Sequence, residues 1–226
     1  MDVRGFGAAL VDLVLPAECA GCGEAASPWC AGCLVRLGPP TRPHLPGGPG
    51  VLAVGRYTGP LRSALLRYKE RGRRDLARPL AALLAPALDE VAGPAATSNS
   101  TTWLVPAPSR PAAARERGGD HVARLCRALS AHHRPDVRVA RPLRLARRAR
   151  DSVGLDAAQR AANLAGRVRV LPAALPRAGA ADLVLLVDDV VTTGATLRAC
   201  RAALARAGTP VAAAVVLCDA TTTQDP

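Results

Sequence analysis

Residues 184–196 read Val-Leu-Leu-Val-Asp-Asp-Val-Val-Thr-Thr-Gly-Ala-Thr. Four apolar residues in a row, closed by two carboxylates, have the pattern of a strand buried on both faces. Asp188 and Asp189 are expected where that strand leaves its sheet, and Thr192-Thr193-Gly194-Ala195-Thr196 supplies small residues and hydroxyls just before a helix. In an open parallel sheet, ligands bind beyond the carboxyl ends of the strands. The N–H groups at a helix start favour an anion, usually a phosphate. Two acids above such a loop suit ribose hydroxyls, with the loop taking a terminal phosphate.

Working outward, Leu197, Cys200 and Leu204 mark a helix closed by Gly208, and Val211–Leu217 reads as a last strand. Upstream, short strands are expected at Val51–Tyr57, Trp103–Val105, Val137–Ala140, Val168–Leu171 and Leu183–Val187. Leu61, Ala64, Leu65 and Tyr68 recur at helical spacing and stop near Gly72; Leu76 to Leu88 continue helically, with a kink or end expected near Pro86. Val122, Leu125, Cys126 and Leu129 share another helix face. Strands alternating with helices predict an α/β fold with a parallel sheet.

The division expected along the chain is an apolar helix and four-cysteine segment over 1–37, a Pro/Gly linker over 38–50, the α/β domain over 51–220 and a disordered tail over 221–226. At 226 residues the chain can bury a full core. Half of it is hydrophobic (49%) but only 2% is aromatic, so Ala, Leu and Val must build that core. No apolar run reaches the ~20 residues of a spanning helix. The stretch Phe6–Leu15 is interrupted by Asp12 and lacks a small-residue cleavage site. No membrane insertion and a cytoplasmic location are expected.

The net charge is +12, and Lys69 is the one lysine. Arginine suits phosphate and pyrophosphate because its fork bonds two oxygens at once. So basic a chain also suits single-stranded DNA, although few aromatics are available to stack on bases. A compositional preference for arginine explains the charge equally well.

Cys19-x2-Cys22-x7-Cys30-x2-Cys33 forms two knuckles, both reading Cys-Ala-Gly-Cys. Four thiolates satisfy a tetrahedral zinc ion and leave no open catalytic position. The seven-residue spacing is shorter than the about fifteen to twenty of common zinc ribbons, so the site would be compact. A disulfide pair or a redox knuckle is the alternative, disfavoured by the missing secretion signal and by the pairing of the knuckles respectively. Cys126, Cys200 and Cys218 lie on apolar faces and read as core thiols, and the four histidines have no ligand spacing.

The 184–196 stretch resembles the motif by which type I phosphoribosyltransferases bind phosphoribosyl diphosphate (PRPP): an apolar strand, two acids, two apolar residues and a Thr-rich loop with Gly. The whole chain is similar to the ComF family, phosphoribosyltransferase-like proteins associated with bacterial DNA uptake. That likeness rests on Leu13-Val14-Leu15-Pro16 before the first cysteine; on Tyr57, Gly59, Leu61 and Arg62 followed by Lys69 and Gly72; on Val105-Pro106-Ala107-Pro108; and on Arg147, Arg148, Gln159, Arg160 and Asn163. Arg117-Gly118-Gly119-Asp120-His121 stands where the family has Arg-Gly-x-Asn-Gln, so two positions depart.

The resemblance implies a type I phosphoribosyltransferase-like domain behind a zinc knuckle. Asp188 and Asp189 would hold the ribose hydroxyls of PRPP. Val190, Val191, Thr192, Thr193, Gly194, Ala195 and Thr196 would cradle the 5′-phosphate. Pyrophosphate would fall to Ala107, Pro108, Ser109 and Arg110 and to Arg147, Arg148 and Arg150, with Mg²⁺ accompanying PRPP. Two functions follow as expectations: Mg²⁺-dependent phosphoribosyl transfer to an acceptor, or a non-catalytic accessory of DNA uptake that binds single-stranded DNA or DNA-uptake proteins.

Overall fold

A computed structural model describes residues 18–25, 27–93, 100–109, 111–116, 118–133, 135–146 and 167–221. Its centre is a five-stranded sheet in which every pairing is parallel. The strands are β1 (Gly50–Arg56), β2 (Thr102–Pro106), β3 (Val137–Val139), β6 (Leu183–Val191) and β7 (Ala213–Asp219), arranged in the order β1-β7-β6-β2-β3. A separate two-stranded antiparallel sheet pairs β4 (Leu143–Leu145) with β5 (Val168–Val170). The expected α/β class with a parallel sheet is the observed one.

Helices cover both faces of the sheet. Alternate side chains of a strand point to opposite faces. Leu185 and Val187 thus join a core with Leu52, Leu104 and Leu217 beneath α2 (Gly59–Glu70), α3 (Ala77–Ala92) and α5 (His121–His132). Val184 and Leu186 join the other core, with Val105, Val216, Leu143 and Val168, beneath α6 (Ala195–Arg206). Leucine, valine and alanine fill both, as the near absence of aromatics requires, and Cys126, Cys200 and Cys218 are fully buried among them. A short helix, α1 (Ala31–Val35), carries the second cysteine knuckle, and α4 (Pro111–Glu116) precedes α5. Among the described residues, no helix is long and apolar enough to cross a membrane.

Two local expectations are corrected. The central strand does not end at Val187: it continues to Val191, because β7 stays paired with it as far as Val191↔Asp219. Its other neighbour stops earlier, at Pro106↔Val187, where Pro106 and Pro108 have no amide to continue a ladder. Nor does Pro86 end its helix. α3 runs unbroken from Ala77 to Ala92 and is closed by Gly93. Its stripe of Leu80, Leu84 and Leu88 is fully buried, and that burial holds the helix together across the proline.

Residues 38–50 lie along the free side of β1. Thr41 and Ala53 exchange both backbone hydrogen bonds, at 3.0 and 2.9 Å, in one antiparallel bridge. Thr41 Oγ1 donates to Asp219 Oδ2 at 2.9 Å, and Arg201 Nη1 donates to the carbonyls of Gly47 and Gly48. Between these ties Leu45 is buried beside the start of α6.

Candidate functional site

The acid pair lies where β6 has outrun β2. The last tie between these strands is Ala107 N–H donating to Val187 O at 2.8 Å. Beyond it, β6 is flanked by a strand on the β7 side alone. This leaves Asp188 and Asp189 beside the Ala107-Pro108-Ser109 turn, at the carboxyl ends of parallel strands where α/β folds take ligands. Ala107 is buried, and Pro108 and Ser109 are half-buried.

Strand parity separates the two carboxylates. Asp188 continues the α6 face and is half-buried; Asp189 continues the α2–α3–α5 face and is 6% exposed. Asp189 Oδ2 lies 2.5 Å from His121 Nε2 at the start of α5 and 2.8 Å from Lys69 Nζ at the end of α2. Burial works against the Asp189 charge, yet the His121 hydrogen bond and the Lys69 charge outweigh it and hold this carboxyl well below the ordinary range. His121 Nε2 and the Asp189 carboxylate share this short hydrogen bond. Asp188 is shifted the other way: burial, and then the charge of Asp189, push its carboxyl well above the ordinary range, although its Oδ1 accepts the Asp189 amide at 2.8 Å.

Below the acids the chain turns into α6. Val191 is buried, Thr192 and Thr193 are exposed, and Ala195 and Thr196 are half-buried. Gly194 adopts φ +71°, a left-handed conformation that favours glycine, and a Cβ there would stand 2.6 Å from both Leu45 methyls. Two ties shape the turn. Ala195 N–H donates to Thr193 Oγ1 at 3.4 Å, and Arg198 Nη1 donates to Thr193 O at 2.8 Å.

On the β2 side, Ser109 Oγ donates to Asp120 Oδ1 at 3.3 Å. The same oxygen caps α5 by accepting Ala123 N–H at 3.1 Å, and Arg141 approaches Asp120 Oδ2 at 3.7 Å. Of the expected pyrophosphate residues, Ala107, Pro108 and Ser109 thus stand beside the acids. Arg110, Arg147, Arg148 and Arg150 lie outside the described residues.

Lys69 and His121 received no site role from the residues themselves. Each is far from Asp189 in sequence, and a histidine on a helix start has no ligand spacing to betray it. Only the packing of the two helices against the end of β6 brings them to Asp189.

The second cluster is the four cysteines. Their sulfurs lie within 4.8 Å of one another, with Cys19 Sγ 3.6 Å from Cys33 Sγ and Cys22 Sγ 3.7 Å from Cys30 Sγ. Four sulfurs at ~2.3 Å from one tetrahedral ion stand about 3.8 Å apart. The cluster could hold a metal ion. Gly21 permits the close approach, since a Cβ there would meet Cys33 Sγ at 2.6 Å. Burial and the neighbouring thiols push Cys33 up to about 12, so these groups resist ionising together without a cation. The segment is seated on the α/β domain: Ala20 is fully buried in the core beneath α2, and Arg67 Nη1 donates to Cys19 O at 3.4 Å.

No protein family matches the chain, and no curated protein does. Among solved structures, it is similar to a hypoxanthine phosphoribosyl transferase of Trypanosoma cruzi, with 21% identity, 70% of each chain covered and a TM-score of 0.38. A lysine-to-arginine mutant of the Trypanosoma cruzi hypoxanthine phosphoribosyltransferase in a ternary substrates complex gives 22% identity, coverage of 70% of this chain and 73% of that chain, and a TM-score of 0.36. The complex of that enzyme with the product IMP gives 22%, 65% and 67%, and 0.36. Similarity at this level identifies neither substrate nor activity.

Proposed function

We propose that the chain is a ComF-like protein whose phosphoribosyltransferase-like domain binds PRPP together with Mg²⁺. One observation carries the reading: two adjacent acids stand at the carboxyl end of the central parallel strand, directly above a Thr-rich turn that opens a helix. In this reading Asp188 and Asp189 face the ribose hydroxyls, and Val190 to Thr196 receive the 5′-phosphate on the amides that open α6. Ala107 to Arg110, with Arg147, Arg148 and Arg150, receive the pyrophosphate. Mg²⁺ offsets the charge of the pyrophosphate. The half-buried Asp188 and the polar turn beside it are the described groups whose chemistry suits its company.

Phosphoribosyl transfer breaks the bond from ribose C1 to pyrophosphate while positive charge spreads over the sugar. Such a reaction needs positioning and cationic donors on the leaving group more than a protein nucleophile. The transfer to an acceptor is the catalytic extension of the reading. Calorimetric titration with PRPP and Mg²⁺ tests the binding, and release of pyrophosphate from that mixture tests the transfer. Absence of binding by the wild-type protein would overturn the reading.

The four cysteines fit zinc as a structural ion, with Cys19, Cys22, Cys30 and Cys33 as its ligands. A thiolate site of this kind stays reduced in the cytoplasm, where we place the protein. Residues 1–37 then form a zinc-bearing segment, 38–50 its connection, and 51–220 the PRPP-binding domain.

The charge of +12, nearly all arginine, favours a second reading, a DNA-uptake accessory that handles single-stranded DNA or uptake proteins. Binding of single-stranded DNA that falls steeply with salt would support it.

A further inference from the structure

The acid pair is not symmetric. Asp189 is engaged through one oxygen, Oδ2, by two side chains from two different helices, at 2.5 Å from His121 and 2.8 Å from Lys69. His121 is 4% exposed and is itself fixed: Tyr68 Oη donates to its carbonyl at 2.8 Å, and the two rings meet edge to face at 6.1 Å. Tyr68 and Lys69 are neighbours on the last turn of α2. Three elements, α2, α5 and β6, therefore converge on a single carboxylate oxygen. Among the described residues no cation forms an ion pair with Asp188, and its hydrogen bond is from the Asp189 amide.

We propose that Lys69 and His121 are positioning residues that anchor Asp189, so that the acid pair meets its ligand as one carboxylate already engaged by two side chains and one carboxyl that is not. Asp188 is then the acid that takes the ligand's divalent cation or sugar hydroxyls. Asp189, held at Oδ2 by α2 and α5, faces the sugar hydroxyls from a fixed position beside it. Tyr68 holds the backbone carbonyl of His121 and packs edge-on against its ring. This deepens the PRPP reading and rests on it for the identity of the ligand.

The test has two arms on the full-length protein. In the first, Mg²⁺–PRPP is titrated calorimetrically into the wild type, K69M, H121L and H121Q. We expect K69M and H121L each to lose about tenfold in affinity, the equivalent of one lost charged contact. H121Q retains an N–H that can reach Asp189 without a ring, and is expected to recover to within about threefold of the wild type. A variant that merely loosened the fold would not be rescued in this way.

The second arm needs no ligand. Urea unfolding of H121L, D189N and the double variant should be non-additive, with the double variant less destabilised than the sum of the two. If the wild type binds no PRPP, the proposed function fails and this arm alone decides the inference. Additive unfolding effects would overturn the inference. So would unchanged PRPP affinity in folded K69M and H121L, or H121Q no better than H121L.

Discussion

Replacing Gly194 by alanine probes the join between the acidic strand and α6. Two costs are expected, and the structure separates them. At φ +71° an alanine sits in the left-handed region, at about 1–2 kcal/mol. Its Cβ would also stand 2.6 Å from both Leu45 methyls and 3.0 Å from Leu45 Cγ, an overpacking of the kind that costs about 1–3 kcal/mol. Together G194A should lose about 2–5 kcal/mol, a large share of the roughly 5–15 kcal/mol that holds a domain folded. Gly208 gives the control. It has nearly the same φ, +75°, but a Cβ there meets nothing within 4 Å, so G208A isolates the backbone cost. Urea denaturation followed by the fluorescence of Trp29 and Trp103 measures both variants. L45A should then offset the steric part in the double variant, giving a coupling of about 1–3 kcal/mol. If G194A costs no more than G208A, or L45A and G194A are additive, the contact between residues 38–50 and the turn into α6 has no energetic content and the reasoning fails.

Three further outcomes are expected. Elemental analysis of purified protein should give close to one zinc per chain, and C30S should lower both zinc content and solubility; a metal-free protein that is fully folded would contradict the thiolate site. D188N should stabilise the ligand-free protein increasingly as pH rises. Burial and the Asp189 charge make folded Asp188 keep its proton to higher pH than the unfolded chain does, so its favourable contribution is present at acid pH and lost as pH rises through the folded value. Melting temperatures of the two proteins across pH check this, and a gap that does not widen with pH would refute it. Finally, replacing Arg144, Arg147 and Arg148 together by alanine should abolish PRPP binding and leave single-stranded DNA affinity nearly unchanged if the cluster holds pyrophosphate; a flattened salt dependence of DNA binding with PRPP binding retained would reverse that assignment.

The parallel sheet was legible because its strands are short apolar runs and its helices repeat at 3.6 residues. Leu197, Cys200 and Leu204, read from spacing alone, are indeed the buried stripe of α6. The strand's true end was not legible. Nothing in Val190-Val191 distinguishes a loop from a strand that only one neighbour still pairs, and the length of β7 decides it. The acid pair stood out in sequence, but its asymmetry did not. That depends on helices carrying Lys69 and His121 to one oxygen, which is a property of packing. The 38–50 stretch read as a linker from its prolines and glycines; composition excluded helix and central strand, yet gave no sign that Leu45 would be buried against Gly194.

The same stretch has a bearing on self-association. β1 is an outer strand whose residues Val51 to Val54 are all buried, an apolar ribbon of the kind that recruits other chains when exposed. Its cover includes Pro39, Pro40, Pro43, Pro46 and Pro49, which have no amide hydrogen and so cannot pass a ladder outward to a further strand. One backbone bridge at Thr41 joins the cover to β1, with the Asp219 and Arg201 contacts beside it, and beyond that bridge the row of backbone donors and acceptors ends in a surface that offers a stranger little to pair with. A chain cut to begin at Gly50 would keep every strand of the sheet and lose that guard. Self-association through the uncovered edge of β1 is the expected consequence.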